Sequence, residues 1–167
     1  MILILVGVCG CGKTTIGRAL AEDLGWPFHD ADDFHPAANV AKMAAGHALD
    51  DEDRWPWLDR MVVAMQGAQA EGGHAVLACS ALKAVYRERL QRAGDVRFIY
   101  MRGDMETIAA RLAARSHRYM PASLLPSQFA ALEEPENALV VDILESPAAQ
   151  VQRVRSAFAL APASLAR

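Results

Sequence analysis

The stretch that decides the fold is MILILVGVCGCGKTTIGRALAEDLG, residues 1–25. Ile2 to Val6 is an unbroken apolar run of strand length, as expected for a strand buried on both faces. Ile16, Leu20 and Leu24 then recur at helical spacing, and Gly25 stands where a helix would be closed. Between strand and helix, Gly7-Val8-Cys9-Gly10-Cys11-Gly12-Lys13-Thr14 fits the phosphate-loop pattern G-x-x-x-x-G-K-[ST]. In that arrangement successive backbone N–H groups and the helix N-terminus converge on phosphate oxygens, Lys13 neutralises the β and γ phosphates, and the Thr14 hydroxyl ligates Mg²⁺. Gly7 to Thr15 are therefore the expected nucleotide contacts: Gly7, Val8, Cys9, Gly10, Cys11, Gly12, Lys13, Thr14 and Thr15. A glycine-rich turn alone would explain the glycines but not Lys13-Thr14.

Cys9 and Cys11 also form a C-x-C pair, but a zinc site needs about four suitably spaced ligands and no matching pair lies nearby. Variable positions of a phosphate loop offer mainly backbone, so cysteine fits there without a metal role. Lying beside Lys13 and a helix N-terminus, at least one of the two is expected to be more reactive than an ordinary thiol. Cys79, at the end of a candidate strand, is expected to be less accessible. Three cysteines, an odd number, in a chain whose apolar start lacks a basic leader argue for reduced thiols and a cytoplasmic protein.

The rest of the chain extends the alternation. Further strand candidates are Trp26 to His29, Ala75 to Cys79, Arg97 to Met101 and Ala138 to Val141. Helical patterns run through Trp55, Leu58, Val62 and Met65, through Ile108 and Leu112, and through Val151, Val154 and Phe158. Ser146-Pro147 reads as cap and first residue of the last helix. Strands alternating with helices imply right-handed crossovers and a three-layer α/β domain with a parallel sheet of about five strands. At 167 residues the chain is long enough for one such domain, residues 1–167. The composition is 53% hydrophobic and 22% charged, that of a globular protein. A net charge of -3 offers no general basic field for nucleic acid, and no apolar run approaches the ~18 residues that span a bilayer. The expected partner is a small molecule.

Two stretches exceed a minimal alternation. Residues 32–54, rich in Asp, His and Asn and continuing into a helix to about 72, read as a substrate-binding insert; residues 116–136, carrying Pro121, Pro126 and Pro135, read as a lid. Plain surface loops are the alternative. Asp30 and Asp32 alternate at the end of the second strand, so one can face the magnesium and the other the next pocket. Pro126 is tolerable only in the first turn of a helix.

These segments carry a resemblance. D-x-D-D-F-H-P from Asp30, N-V-x-K-M from Asn39, D-D-E-D-R-W-P-W-L from Asp50, ACSALKAVYRERL from Ala78, MPASLLPSQFAALEEPE from Met120 and LVVDI from Leu139 resemble, in order, the ATP-dependent gluconate kinases. These are P-loop small-molecule kinases related to shikimate kinase. The resemblance runs from Leu5 to about Ile143. It implies transfer of the γ-phosphoryl group of ATP, with Mg²⁺, to the 6-hydroxyl of D-gluconate, and an assembly that is commonly a homodimer. Lys13, Asp32 and Arg115 are then the expected catalytic residues: Asp32 orients the attacking hydroxyl, and Arg115 meets transition-state charge. Asp30 joins Thr14 on the metal side. Arg111 and Pro147 are expected at the nucleotide, with Arg118 as a second lid arginine. Asp32, His35, Arg54, Lys83, Tyr86 and Arg87 are expected at the substrate, where Arg54, Lys83 and Arg87 all compete for its carboxylate. Trp55 and Trp57 read as core of the insert.

The chain departs from the family pattern in three places. Cys9, Cys11 and Thr14 replace serines of the loop. Arg115-Ser116-His117-Arg118-Tyr119 replaces R-K-G-H-F at the lid. Pro126 stands where an acidic residue is common. Rival readings are a kinase of the same fold for another hydroxy acid such as shikimate, a nucleotide switch, and a metal or redox protein.

Overall fold

The computed structural model describes residues 1–114 and 124–163. Five strands, β1 (Ile2–Val6), β2 (Phe28–Asp30), β3 (Ala75–Ala78), β4 (Val96–Arg102) and β5 (Leu139–Asp142), pair in parallel in the order β2-β3-β1-β4-β5. β1 lies at the centre, its residues Ile2 to Leu5 opposite Ala75 to Ala78 and Ile2 to Val6 opposite Val96 to Tyr100. Every residue of β1 is buried. That explains why its sequence shows no polar alternation.

The helices are α1 (Lys13–Leu24), α2 (Ala37–Ala44), α3 (Asp51–Ala70), α4 (Ala84–Gln91), α5 (Met105–Ala113), α6 (Leu125–Ala131) and α7 (Pro147–Phe158). On one face of the sheet, Ile2, Ile4 and Val6 pack with Leu58, Met61 and Met65 of α3 and Tyr86 and Leu90 of α4. On the other, Leu3 and Leu5 pack with Ile16 and Leu20 of α1, Ile108 and Leu112 of α5, and Val151 and Val154 of α7. The result is a three-layer α/β fold on a five-stranded parallel sheet. Among the described residues no helix is long and apolar enough to cross a membrane.

Residues 32–54 are more regular than their composition suggests. A 3₁₀ turn (Ala31–Phe34) follows β2, α2 occupies much of the remainder, and α3 starts at Asp51 rather than at Trp55. Asp50 and Asp53 form a reciprocal capping box at this start: Asp50 Oδ1 accepts from Asp53 N–H and Asp53 Oδ2 from Asp50 N–H, both at 2.9 Å. The signal, D-x-x-D before an apolar periodic run, lay in the acidic string. Pro126 falls in the first turn of α6, where its missing N–H has no intrahelical partner to lose. Ser146 Oγ accepts from Ala149 N–H at 3.3 Å ahead of Pro147, as a cap should.

Candidate active site

The phosphate loop turns from β1 into α1 at Gly12, which caps the helix with φ 104°, a left-handed value that favours glycine. Gly10 also has positive φ, at 83°, and a side chain there would meet Leu112 Cγ at 2.7 Å. The N–H groups of Gly12, Lys13, Thr14 and Thr15 bond to no acceptor among the described residues, while that of Gly10 is directed at the Cys9 sulfur and Ile16 N–H begins the helical ladder on Gly12. A helix start whose donors are left open in this way suits an anion. Cys9 N–H differs, donating to Gln128 Oε1 of α6 at 2.6 Å. Lys13 Nζ donates to the carbonyls of Gly7 and Val8, each at 2.9 Å. The ammonium thus hangs over the loop with no carboxylate in contact among the described residues.

Beside the loop, Thr14 Oγ1 donates to Asp30 Oδ2 at 3.2 Å, and Asp30 Oδ1 accepts the N–H of Asp32 at 3.2 Å. Hard oxygen donors at a helix start suit Mg²⁺, which prefers a carboxylate side chain, a hydroxyl, phosphate and water to an all-protein cage. Asp32 occupies the 3₁₀ turn, with its side chain 88% exposed to the open cleft. Its pKa is nevertheless raised, first because the flanking cleft walls cost the carboxylate hydration and second because Asp30 repels it. His35 Nε2 lies 3.9 Å from Asp32 Oδ1. The His35 ring is stacked on Trp57, centroids 4.6 Å apart, and its burial lowers its pKa, which favours the neutral imidazole. Trp57 Nε1 in turn donates to the carbonyl of Ala31 at 2.7 Å, fixing the turn that carries Asp32. Trp57 is buried core, whereas Trp55 is only partly buried and meets the Tyr86 ring edge-on.

The far wall gathers Arg54, Lys83 and Tyr86 around a residue that the sequence did not single out, Asp51. Lys83 Nζ donates to both Asp51 oxygens, at 2.9 and 3.1 Å, and the Tyr86 hydroxyl donates a short bond to Oδ1. These bonds, Tyr86 first and Lys83 second, hold the Asp51 carboxyl below the usual carboxylate range. Arg54 lies over the Tyr86 ring and donates to the Leu49 carbonyl at 3.2 Å, while its buried Nε has no partner among the described residues. Asp51 was legible only as part of an acidic string, since its partners are more than thirty positions away.

Arg87 departs from the expectation that it competes for a substrate carboxylate. It is buried, and its guanidinium donates to the carbonyls of Ala81 and Leu82, at 2.9 and 2.8 Å, and of Glu133, at 2.8 Å. Those donors brace the loop after β3 rather than face the cleft. Arg111 donates to the Ile143 carbonyl at 2.7 Å beside the β5–α7 loop, which brings it and Pro147 to one edge of the sheet. Arg115, Ser116, His117, Arg118 and Tyr119 lie outside the described residues.

At Cys9 the surroundings run against the thiolate that the sequence suggests. Cys9 is half-buried and its thiol pKa is raised, because burial outweighs the lowering effect of Lys13. Cys11 is buried under the loop. Cys79 is buried as expected, and desolvation pushes its thiol up to about 12. All three are free, and no cluster of three or more His, Cys, Asp or Glu residues among those described could hold a metal.

A shikimate kinase family model matches residues 9–141. The thermosensitive gluconokinase of Escherichia coli K12 is 46% identical over 134 residues, covering 80% of this chain and 72% of that protein. The gluconokinase of Gluconobacter oxydans 621H is 47% identical over 137 residues, 80% of this chain and 75% of its own. The chain belongs to the gluconokinase family. Solved structures agree with that membership. A gluconokinase from Sinorhizobium meliloti 1021 superposes with a TM-score of 0.80 at 35% identity, covering 94% of this chain and 90% of its own. An unliganded sugar kinase from Janibacter sp. HTCC2649 superposes with a TM-score of 0.88 at 39% identity, covering 97% and 96%.

Proposed function

We propose that this gluconokinase-family protein transfers the γ-phosphoryl group of ATP to the 6-hydroxyl of D-gluconate, giving 6-phospho-D-gluconate and ADP. The observation that carries the reading is the position of Asp32. Its carboxylate feels Lys13 and Asp30 on the nucleotide side and contacts His35, a neighbour of Arg54, on the other. A base at that junction can serve a hydroxyl delivered from the acceptor wall.

In this reading the open N–H groups of the loop and Lys13 hold the phosphates. Thr14 and Asp30 would hold Mg²⁺, which when bound would supply charge neutralisation at the phosphates. Asp32 accepts the proton of the 6-hydroxyl as its oxygen bonds to the γ phosphorus, and the bond from that phosphorus to the β-phosphate oxygen breaks, releasing ADP. Such a transfer needs positioning and charge neutralisation more than covalent chemistry. Arg115 is assigned to the charge of the transition state, and Arg111 and Pro147 to the nucleotide. Arg54, with an unsatisfied buried Nε, is assigned to the gluconate carboxylate; His35, Lys83 and Tyr86 to its hydroxyls. Arg87 is assigned the bracing of that wall.

The proposal includes one catalytic unit spanning residues 1–167, with the insert at 32–72 and the lid at 116–136, acting in the cytoplasm, where free thiols persist. It also includes a homodimer, which sedimentation tests. The deciding experiment is a coupled assay of 6-phosphogluconate formation under Mg-ATP, run beside a panel of other hydroxy acids including shikimate. Turnover confined to gluconate is expected. No turnover with gluconate overturns the reading.

A further inference from the structure

Gln128 joins two parts of the cleft that the reaction must bring together. Its Oε1 accepts the Cys9 N–H at 2.6 Å, although 119 positions separate the two residues. Five residues further on, Glu133 is bound to the acceptor side three times. Its Oε2 accepts the Ala84 N–H at the start of α4 at 2.5 Å, its own N–H donates to the Leu82 carbonyl at 3.0 Å, and its carbonyl accepts from Arg87 at 2.8 Å. Lys83, the cap residue of α4, sits between those anchor points and carries the bond to Asp51. Between Gln128 and Glu133, Phe129 packs into the core on the α1 face, and Leu132 packs against the cores of both faces of the sheet.

From this geometry we infer that Gln128 is a positioning residue that couples the nucleotide and acceptor sites through residues 128–133. The inference rests on the phosphoryl-transfer reading. The bond to Gln128 uses the N–H of Cys9 and leaves those of Gly12 to Thr15 for phosphate, so the link and the nucleotide coexist. A nucleotide that immobilises the loop fixes Cys9, and through Gln128 it fixes the segment that braces Lys83 and Tyr86. The ordering cost of the acceptor wall is then met before the acceptor arrives, and the effect is reciprocal. A bond that merely stabilised the fold would change the melting temperature but leave the coupling between ligands untouched.

The test is calorimetric titration of gluconate with and without saturating Mg²⁺ and a non-hydrolysable ATP analogue, and the reverse titration, on the full chain. Wild-type affinity for each ligand is expected to tighten at least ~5-fold in the presence of the other, by the same factor in both directions. Gln128→Met keeps the volume and removes the acceptor, and its factor is expected to fall below about twofold. If that variant fails to fold, Gln128→Asn, a methylene too short for Cys9, carries the same expectation. Gln128→Glu keeps the acceptor, so it retains coupling while its charge weakens the analogue. A wild-type factor near one, or a Met or Asn variant that keeps the wild-type factor, overturns the inference and leaves the function standing. A wild type that binds no gluconate under either condition overturns both.

Discussion

On the phosphate side of the cleft, Lys13 is held by two carbonyls of its own loop, and the neighbouring N–H groups face no acceptor among the described residues. On the acceptor side, Lys83 is held by the Asp51 carboxylate, Lys42 by Asp53 and Asp50, and Arg87 by three carbonyls. The first arrangement leaves a full positive charge unneutralised for a highly charged ligand. The second satisfies its charges in advance except at Arg54, whose buried Nε has no partner among the described residues, so it discriminates by the positions of donors and acceptors more than by net field. Strong binding of phosphate and selective binding of a polyol acid call for these two different preparations.

The comparison breaks most visibly at Lys13. Lys13→Met keeps length and removes the charge, so kcat should fall by about 10³-fold, the upper range for one electrostatic contact to the transition state. Steady-state kinetics read the loss, and near-normal turnover would refute the phosphate-loop assignment. Asp32→Asn should be next, lowering kcat about 10²-fold with little change in nucleotide affinity. The pKa of Asp32 is raised by desolvation and by Asp30, and the carboxylate must be ionised to accept a proton. Activity in the wild type should therefore fall as pH drops through a value above the ordinary ~3.9 of aspartate, and that limb should vanish in the variant. Collapse of nucleotide affinity with kcat preserved would exchange the roles of Asp32 and Asp30.

The same contrast explains what the sequence could and could not disclose. β1, the loop and α1 are contiguous, and their function rests on backbone N–H groups whose placement a local pattern of glycines dictates. The parallel sheet was legible for the same reason, since Ile2 to Val6 and Ala75 to Ala78 are apolar without alternation. The acceptor wall depends on which side chain finds which partner across the fold. Arg54, Lys83 and Arg87 looked equivalent as cations in a row of motifs. Only packing separates them: Arg87 is buried on carbonyls, Lys83 is paired with Asp51, and Arg54 retains an unsatisfied Nε. For Cys9 the sequence disclosed only one of the two opposing influences, because proximity to Lys13 shows in sequence and burial does not.

A third substitution sharpens the acceptor side. Asp51→Asn removes the charge that fixes both Lys83 and Tyr86, so KM for gluconate should rise about tenfold, the scale of one hydrogen bond to a charged group, with kcat much less affected. Initial-rate kinetics at saturating Mg-ATP separate the two parameters. A fall in KM would mean instead that Asp51 competes with the substrate carboxylate for Lys83, and the preorganised wall would have to be abandoned.

The smallest effect is expected at Cys9, and it tests the balance of forces on the phosphate side. Lys13 and the helix start favour a thiolate there, yet burial raises the Cys9 pKa. The thiolate fraction at neutral pH is therefore below that of a free cysteine, and alkylation, which consumes the thiolate, must be slower. Iodoacetamide at pH 7 should label Cys9 several-fold more slowly than a small free thiol, and labelling should accelerate as pH rises past the ordinary thiol range. Mg-ATP should slow it further, because added negative charge opposes ionisation. Cys79, pushed up to about 12 and fully enclosed, should stay unlabelled until the protein unfolds. Cys9→Ser removes the labelling and should leave kcat within about threefold, since the loop contributes backbone rather than side chain at this position. Labelling of Cys9 faster than the free thiol, mapped by mass spectrometry, would show that the charge of Lys13 reaches the loop more strongly than burial opposes it. The phosphate side would then be polarised even before a nucleotide arrives.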